Sequence, residues 1–309
     1  MDLKIDKSLS TWIKFGSALT VALHHYSQYV CANHIADSFI YKLFSSLGGF
    51  IAVAVFFFLS GYGVMESEKH KHLGLLAFLK KRWLRIYLPA VLVTLFWLPI
   101  KSFLSGEQLL TGGAIYKLLW GFEDGVLWFV KVLLIQYLAF GLYNEIRVRC
   151  NSIISIVSLD LLTLCTIATV LLLLKMPDYC LLSIPMFTIG VLASIFNTNK
   201  AQMTGVFLIL WGLTMCLLFF CMESSYVIHT LIVYSFVFMA LWLIAKFPLK
   251  KQLPVPSIIN EISFDIYLVH NKVLWTLKLL LPIVPLYYFV GLAVPFVLLF
   301  YRVRKKLNL

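Results

Sequence analysis

Ten stretches of mostly apolar residues alternate with short polar segments along the chain. A helix needs about 20 apolar residues to cross a bilayer, and each stretch is close to that length. The pattern predicts membrane-spanning helices at residues 11–31, 46–66, 83–101, 125–143, 153–174, 180–196, 204–221, 226–246, 263–281 and 284–301. The predicted fold class is therefore all-α, a polytopic membrane helix bundle, with residues 1–309 forming one integral-membrane domain.

Composition supports a membrane protein. The 309 residues are 61% hydrophobic and 13% charged, whereas soluble domains average about 25% charged residues. This difference excludes an ordinary soluble globular protein. The six cysteines show no paired spacing, so they are interpreted as apolar packing residues rather than as a disulfide framework or a metal site.

The formal net charge of +12 is concentrated in alternate loops. The basic set comprises Lys4 and Lys7, residues 69–85, Arg147 and Arg149, Lys200, Lys246, Lys250 and Lys251, and residues 302–306. By the positive-inside rule these loops are cytoplasmic, and ten spans then place both termini in the cytoplasm. This distribution makes the bilayer the expected partner instead of nucleic acid, and the plasma membrane (the bacterial inner membrane) the expected location.

The first predicted span carries two adjacent histidines, His24 and His25. Ionisable residues inside a membrane are costly and are candidates for function. Lys14 lies eleven residues before His25, which brings both side chains to the same helix face about 16 Å apart. Lys14 is either an interfacial anchor or a ligand for one end of a long molecule whose other end reaches His25. Gln28 shares the face of His25, whereas His24 points about 100° away and is either a supporting or a packing residue.

The segment LKKRWLRIYLPA, residues 79–90, begins the third predicted span with a basic cluster. Arg82 and Arg85 are three residues apart, so they are expected on the same helix face, with Lys81 beside them. Guanidinium groups bind phosphates through paired hydrogen bonds. The cluster is either a phosphate-binding site or a topology signal alone.

Two further stretches contain more polar or small residues than lipid-facing helices need. FFFLSGYGVM, residues 56–65, places Ser60, Gly61 and Gly63 in the second span, where small residues either allow close helix packing or line a cavity. ISFDIYLVHNKVLW, residues 262–275, places Ser263, Tyr267 and His270 on one stripe. That stripe is interpreted as the lining of a polar cavity, with a structural hydrogen-bond stripe as the alternative.

The motifs taken together, in this order, resemble the acyltransferase 3 family of ten-span membrane enzymes, which acylate hydroxyl groups of glycans and related compounds. Lys14 and His25 match the Arg-x10-His element of that family's first span, with lysine in place of the arginine. The other matching blocks are residues 57–62, residues 82–89, Trp128-Phe129, residues 184–194 and residues 262–270. The resemblance extends over nearly the whole chain.

The resemblance implies an O-acyltransferase that uses cytoplasmic acyl-CoA, acetyl-CoA first, and no metal. Its catalytic residue is His25, which acts either as a general base or as an acyl carrier. The implied acceptor is a glycan or a lipid-linked sugar. The implied cofactor-binding residues are Lys14, Lys81, Arg82 and Arg85, and the implied cavity-lining residues are His24, Gln28, Ser60, Tyr62, Trp128, Ser263, Tyr267 and His270. The alternative is a transporter or flippase, although the chain shows neither an inverted repeat nor matched broken helices.

Overall fold

The computed structural model of the chain describes residues 5–107, 111–113, 115–116, 127–147, 152–174, 184–196, 224–246 and 254–307. Its regular structure within these ranges is helical, and no strand occurs in them. The predicted all-α class is thus confirmed for the described part of the chain.

A helix lies at each predicted stretch that the structure describes, and two short helices, Phe39–Leu43 and Leu75–Arg82, lie outside the predicted stretches. In chain order the helices are α1 (Lys7–Ala32), α2 (Phe39–Leu43), α3 (Gly49–His70), α4 (Leu75–Arg82), α5 (Leu88–Ser105), α6 (Leu127–Arg147), α7 (Ile153–Leu173), α8 (Ile184–Ile195), α9 (Ser224–Lys246), α10 (Ser257–Leu280) and α11 (Leu286–Lys306). A π-helical turn, Phe44–Gly48, joins α2 to α3, and a second one, Trp83–Tyr87, joins α4 to α5.

Five of these helical stretches are long and apolar enough to cross a membrane. They are Phe39–His70, Leu75–Ser105, Trp128–Arg147, Ser155–Leu173 and Leu286–Lys306. The span predicted at 204–221 lies outside the described residues, so the total of ten spans and the location of the termini stay predictions. The more polar α1 and α10 carry most of the candidate site residues, which explains why hydropathy alone does not select them.

Local sequence determines where several helices begin and end. Ser38 and Ser152 precede α2 and α7, and each hydroxyl accepts a hydrogen bond from a backbone N–H of the first turn, as N-cap residues do. Pro256 and Pro285 precede α10 and α11. Gly106 follows α5 with a φ of 71°, a left-handed conformation that glycine adopts without a steric penalty.

The chain divides into two compact units. The first comprises Met1–Ser10, Phe50–Lys80 and Val132–Pro254, and the second comprises Thr11–Gly49, Lys81–Lys131 and Val255–Leu309. The prediction of a single domain over residues 1–309 is not tested by this division and stays a prediction.

In the first unit, α3 and α8 approach each other at two glycines. A Cβ added to Gly61 would overlap the carbonyl oxygen of Phe187, and one added to Gly190 would overlap that of Phe58. The two backbones are therefore in direct contact, as small residues allow between membrane helices. Gly61 thus has the packing role considered for it, whereas a Cβ on Gly63 would meet nothing within 4 Å.

In the second unit, α10 packs against α11 and α5. Arg304 of α11 donates to both carboxylate oxygens of the buried Asp265, at 3.0 and 3.1 Å. The turn between α10 and α11 is held by α1, because Tyr26 donates to the carbonyl of Val284 and the Val284 N–H donates to the hydroxyl of Tyr29. These contacts hold α1 and α10 together, and the candidate site lies between them.

Candidate functional site

His25 of α1 is held in one tautomer by its neighbour Gln28. Its Nδ1 lies 3.1 Å from Oε1 of Gln28. An amide oxygen only accepts hydrogen bonds, so the proton of the neutral ring is on Nδ1 and Nε2 carries a lone pair. Gln28 shares a helix face with His25, as the three-residue spacing predicts. The ring of His25 is half-buried, and its Nε2 is an available base.

The ring of His25 lies against that of His270 from α10. The ring centroids are 5.3 Å apart and the planes are inclined by 23°, which is a stacked arrangement. His270 is buried, and its Nδ1 donates to the carbonyl of Ile266 at 3.0 Å. Its Nε2 is therefore an acceptor, and it is buried with no hydrogen-bond partner among the described residues. Two unprotonated imidazole nitrogens thus belong to one stacked pair.

His24 points away from this pair into a tightly packed pocket. Its Nδ1 donates to the carbonyl of Phe44 at 2.7 Å, within the π-helical turn that precedes α3. A Cβ on Gly49 would lie 2.5 Å from Cδ2 and 2.6 Å from Nε2 of His24, so only glycine leaves room for this ring. Of the two roles considered for His24, the geometry agrees with packing.

The polar stripe of α10 also includes residues that precede His270 along the helix. Ser263, Tyr267 and His270 are all buried. The ring of Tyr267 lies 4.9 Å from Phe129 of α6, next to the half-buried Trp128. The hydroxyl of Ser263 donates to the carbonyl of Ile259 in its own helix. Tyr267 thus lies close to the histidine pair, with its ring centroid 5.9 Å from that of His270, whereas the hydrogen bond of Ser263 is local.

Arg82 is the residue of the basic cluster that lies near Lys14. Lys14 and Arg82 are both half-buried and close enough for their positive charges to interact. The π-helical turn begins directly after Arg82, and its wider turn changes the azimuth between Arg82 and Arg85. The expectation that both arginines share one face rests on α-helical spacing and stays a prediction, and Arg85 is exposed. Lys81 is half-buried.

Sequence reasoning missed three residues that shape the site. Phe44 and Gly49 position His24, as described above. Lys278, in the last turn of α10, lies near enough to His25 for a charge interaction, and its ammonium is 4.9 Å from the ring centroid of Tyr29. In the sequence, only the two adjacent glycines at residues 48–49 indicated that a ring such as that of His24 could pack closely there. For Lys278 the sequence showed no more than a basic residue near the end of a helix.

The remaining predicted residues, Ser60 and Tyr62, belong to the first unit. Tyr62 is buried and stacks on Phe58, with ring centroids 6.2 Å apart, and Ser60 is half-buried. Within the described part of the chain, no group of three or more His, Cys, Asp or Glu side chains could hold a metal ion.

The model of the acyltransferase 3 family, described as an acyltransferase domain, matches residues 9–301, nearly the whole chain. No curated protein and no solved structure matches the chain significantly.

Proposed function

The chain belongs to the acyltransferase 3 family, and from this premise we propose that it transfers an acyl group, acetyl first, from acyl-CoA to a hydroxyl of a glycan or related acceptor. The family match and the long apolar helices make it a membrane protein of an acyltransferase family. We place it in the plasma membrane, with the acyl-CoA supplied from the cytoplasm. One observation carries the chemical part of the proposal, namely the Nδ1 contact of His25 with Gln28, which leaves Nε2 as a base.

In the first form of the reaction, His25 is a general base. Its Nε2 takes the proton from the acceptor hydroxyl while the hydroxyl oxygen attacks the thioester carbonyl. A carbon–oxygen bond forms, the carbon–sulfur bond breaks, and the leaving thiolate takes the proton from the imidazolium to become the free thiol of CoA. Gln28 keeps the ring in the required tautomer throughout.

In the second form, Nε2 of His25 attacks the thioester carbon itself. CoA leaves as the thiolate, and the acyl group resides on the imidazole until the oxygen of the acceptor hydroxyl attacks it. The carbon–nitrogen bond then breaks, the freed imidazole takes the hydroxyl proton, and the thiolate receives that proton to become the free thiol of CoA. Both forms use the same nitrogen. The buried Nε2 of His270 is proposed to accept a hydrogen bond from a bound substrate in either form, since an unsatisfied buried acceptor costs about 1–3 kcal/mol.

The phosphates of acyl-CoA are proposed to bind at Lys14 and Arg82, with Lys81 and Arg85 contributing longer-range attraction. Two cations close together in a half-buried setting favour an anion between them. The rise along α1 from Lys14 to His25 is about 16 Å. An extended donor with its phosphates at Lys14 therefore places its thioester near His25.

The function is tested by release of the CoA thiol. The purified full chain is incubated with acetyl-CoA and a mixture of sugars, and free thiol is measured together with uptake of the sugars into liposomes. We expect acceptor-dependent thiol release. Sugar uptake without thiol release would instead identify a carrier, the alternative that a polar cavity in a helix bundle also suits.

Replacing Lys14 by Met is expected to raise the KM for acetyl-CoA about 10–100-fold, because a hydrogen bond to a charged group contributes about 1.5–3 kcal/mol. Since Lys14 lies far from the reacting carbon, kcat is expected to change much less. Lys14→Arg, which introduces the residue typical of the family, is expected to keep KM at or below the wild-type value. Steady-state kinetics with varied acetyl-CoA measure both parameters. Lys42→Met, at an exposed lysine of α2, is the matched control, and an unchanged KM in Lys14→Met would contradict the phosphate site.

A further inference from the structure

A second site lies on the opposite face of α10. A cavity of about 470 Å³ lies between α5, α10 and α11. This volume is within the range of small-molecule sites. Val269, Lys272, Val273 and Thr276 line it from α10, at the spacing of one helix stripe. Because consecutive residues of a helix are 100° apart, this stripe points away from the one that carries Tyr267 and His270. The cavity is therefore separate from the histidine pair.

The walls of the cavity are apolar and continue onto exposed apolar surface. Phe96 of α5 and Leu299 of α11 line it and are 65% and 54% exposed. Both helices belong to candidate membrane spans. In the most apolar segment of each span, only 28% and 11% of the residues are buried. The cavity consequently opens towards the hydrocarbon region of the bilayer.

The lining of the cavity is longer than the hydrocarbon region of one leaflet. Along α11 its lining extends from Leu292 to Leu307, fifteen residues that rise about 22 Å. One leaflet of the hydrocarbon core is about 15 Å thick, half of the full core. A single acyl chain fits this length, whereas a compact polar ligand would leave most of the apolar lining uncovered.

The lining residues that the structure describes include two cations and no acidic side chain. Its two cations are Lys272 and Arg304, and the charge of Arg304 is balanced by Asp265. The buried Lys272 places its ammonium 4.7 Å from the ring centroid of Trp97, and the ammonium of Lys101 lies 5.7 Å from the same ring. The positive charge is thus concentrated where Trp97 donates to the hydroxyl of Thr276.

A cavity with apolar walls and the ammonium groups of Lys272 and Lys101 at one end favours a ligand that has an anionic head and an apolar chain. We propose that the cavity binds one acyl chain of an anionic phospholipid, with the lipid phosphate held by Lys272 and Lys101 beside Trp97. A phosphate at this end carries the charge opposite to that of both ammonium groups, and the chain covers the apolar walls. This binding site is independent of the acyl-transfer site and does not rest on the proposed function.

The proposal is tested by quenching of tryptophan fluorescence with brominated lipids. The full chain in non-ionic detergent is titrated with phosphatidylglycerol that carries brominated acyl chains, and separately with phosphatidylcholine that carries the same chains. We expect phosphatidylglycerol to quench at a concentration at least tenfold lower. The chain has eight tryptophans, and the ring centroid of Trp275 lies 5.0 Å from that of Trp97. The double substitution Trp97→Phe and Trp275→Phe therefore assigns the effect, and it should abolish the high-affinity quenching.

Substitutions of the charged residue Lys272 are tested in the same titrations. Lys272→Gln is expected to remove the preference for phosphatidylglycerol, and Lys272→Arg to retain it. Lys278→Gln, on the same helix but outside the cavity lining, should keep the wild-type preference for phosphatidylglycerol over phosphatidylcholine. Equal quenching by the two lipids, or high-affinity quenching that persists when both Trp97 and Trp275 are replaced by Phe, would overturn the proposal. The wild-type titrations and Lys272→Arg keep the test decisive if Lys272→Gln does not fold.

Discussion

Replacing His25 by Ala is expected to lower acyl transfer by a factor of about 10²–10⁴ or more, because a positioned general base contributes that much to the rate. The same substitution removes the attacking atom if the imidazole carries the acyl group, in which case transfer is abolished. The ring is half-buried, so most of the packing around α1 is retained. Release of CoA thiol in the presence of acceptor measures the effect.

The matched control is His34→Asn, at an exposed histidine near the end of the same helix. Asparagine is chosen because His34 has a φ of 53°, a conformation that asparagine tolerates. Its activity should equal that of the wild type, and the thermal unfolding midpoint of His25→Ala should show that the variant is folded. A folded, fully active His25→Ala enzyme would refute the catalytic role of this residue.

The two forms of the reaction are separated by the mass of the protein. Incubation with acetyl-CoA in the absence of acceptor leaves an acetyl group on the enzyme only if the imidazole carries it. Mass spectrometry of the peptide that contains His25 detects this addition, and its absence during turnover favours the general base.

Replacing Gly61 by Ala is expected to destabilise the protein by about 3 kcal/mol or more, the upper part of the range for overpacked sites. The added Cβ would overlap the carbonyl oxygen of Phe187, which is backbone and cannot rotate away. Gly190→Ala should have a comparable effect, because its Cβ would overlap the carbonyl of Phe58 from the other side. Thermal unfolding in detergent, followed by size-exclusion chromatography, measures the loss.

The same helix offers a matched control two residues away. A Cβ at Gly63 meets nothing within 4 Å, and alanine in a helix interior is more stable than glycine by about 0.5–1 kcal/mol. Gly63→Ala should therefore unfold at or slightly above the wild-type temperature. If Gly61→Ala and Gly63→Ala unfolded at the same temperature as each other, the close backbone contact between α3 and α8 would be wrong.

The basic cluster shows where the backbone departs from the α-helical geometry on which the interpretation of the sequence rested. Three-residue spacing places two side chains on one face only if the backbone is α-helical. The π-helical turn at Trp83–Tyr87 leaves Arg82 half-buried and Arg85 exposed. A π-turn inserts one residue into the hydrogen-bond pattern, and no composition signal in this stretch predicted it. The presence of cations was predictable, whereas their arrangement was not.

The sequence by itself determined the features that depend on neighbours along the chain. The apolar lengths predicted the helices, and the eleven-residue spacing placed Lys14 and His25 on one face. The three-residue spacing brought Gln28 to His25, and the periodicity of α10 grouped Ser263, Tyr267 and His270. Each of these follows from helix geometry, which is the same for every helix.

Only the tertiary structure decided which helix faces which. It stacks His270 on His25 across 245 positions of sequence and encloses His24 with Phe44 and Gly49. It also forms the apolar cavity beside Lys272. Such contacts depend on the complementary shapes and polar groups of whole helix surfaces, because close packing decides between the many pairings that apolar periodicity alone permits.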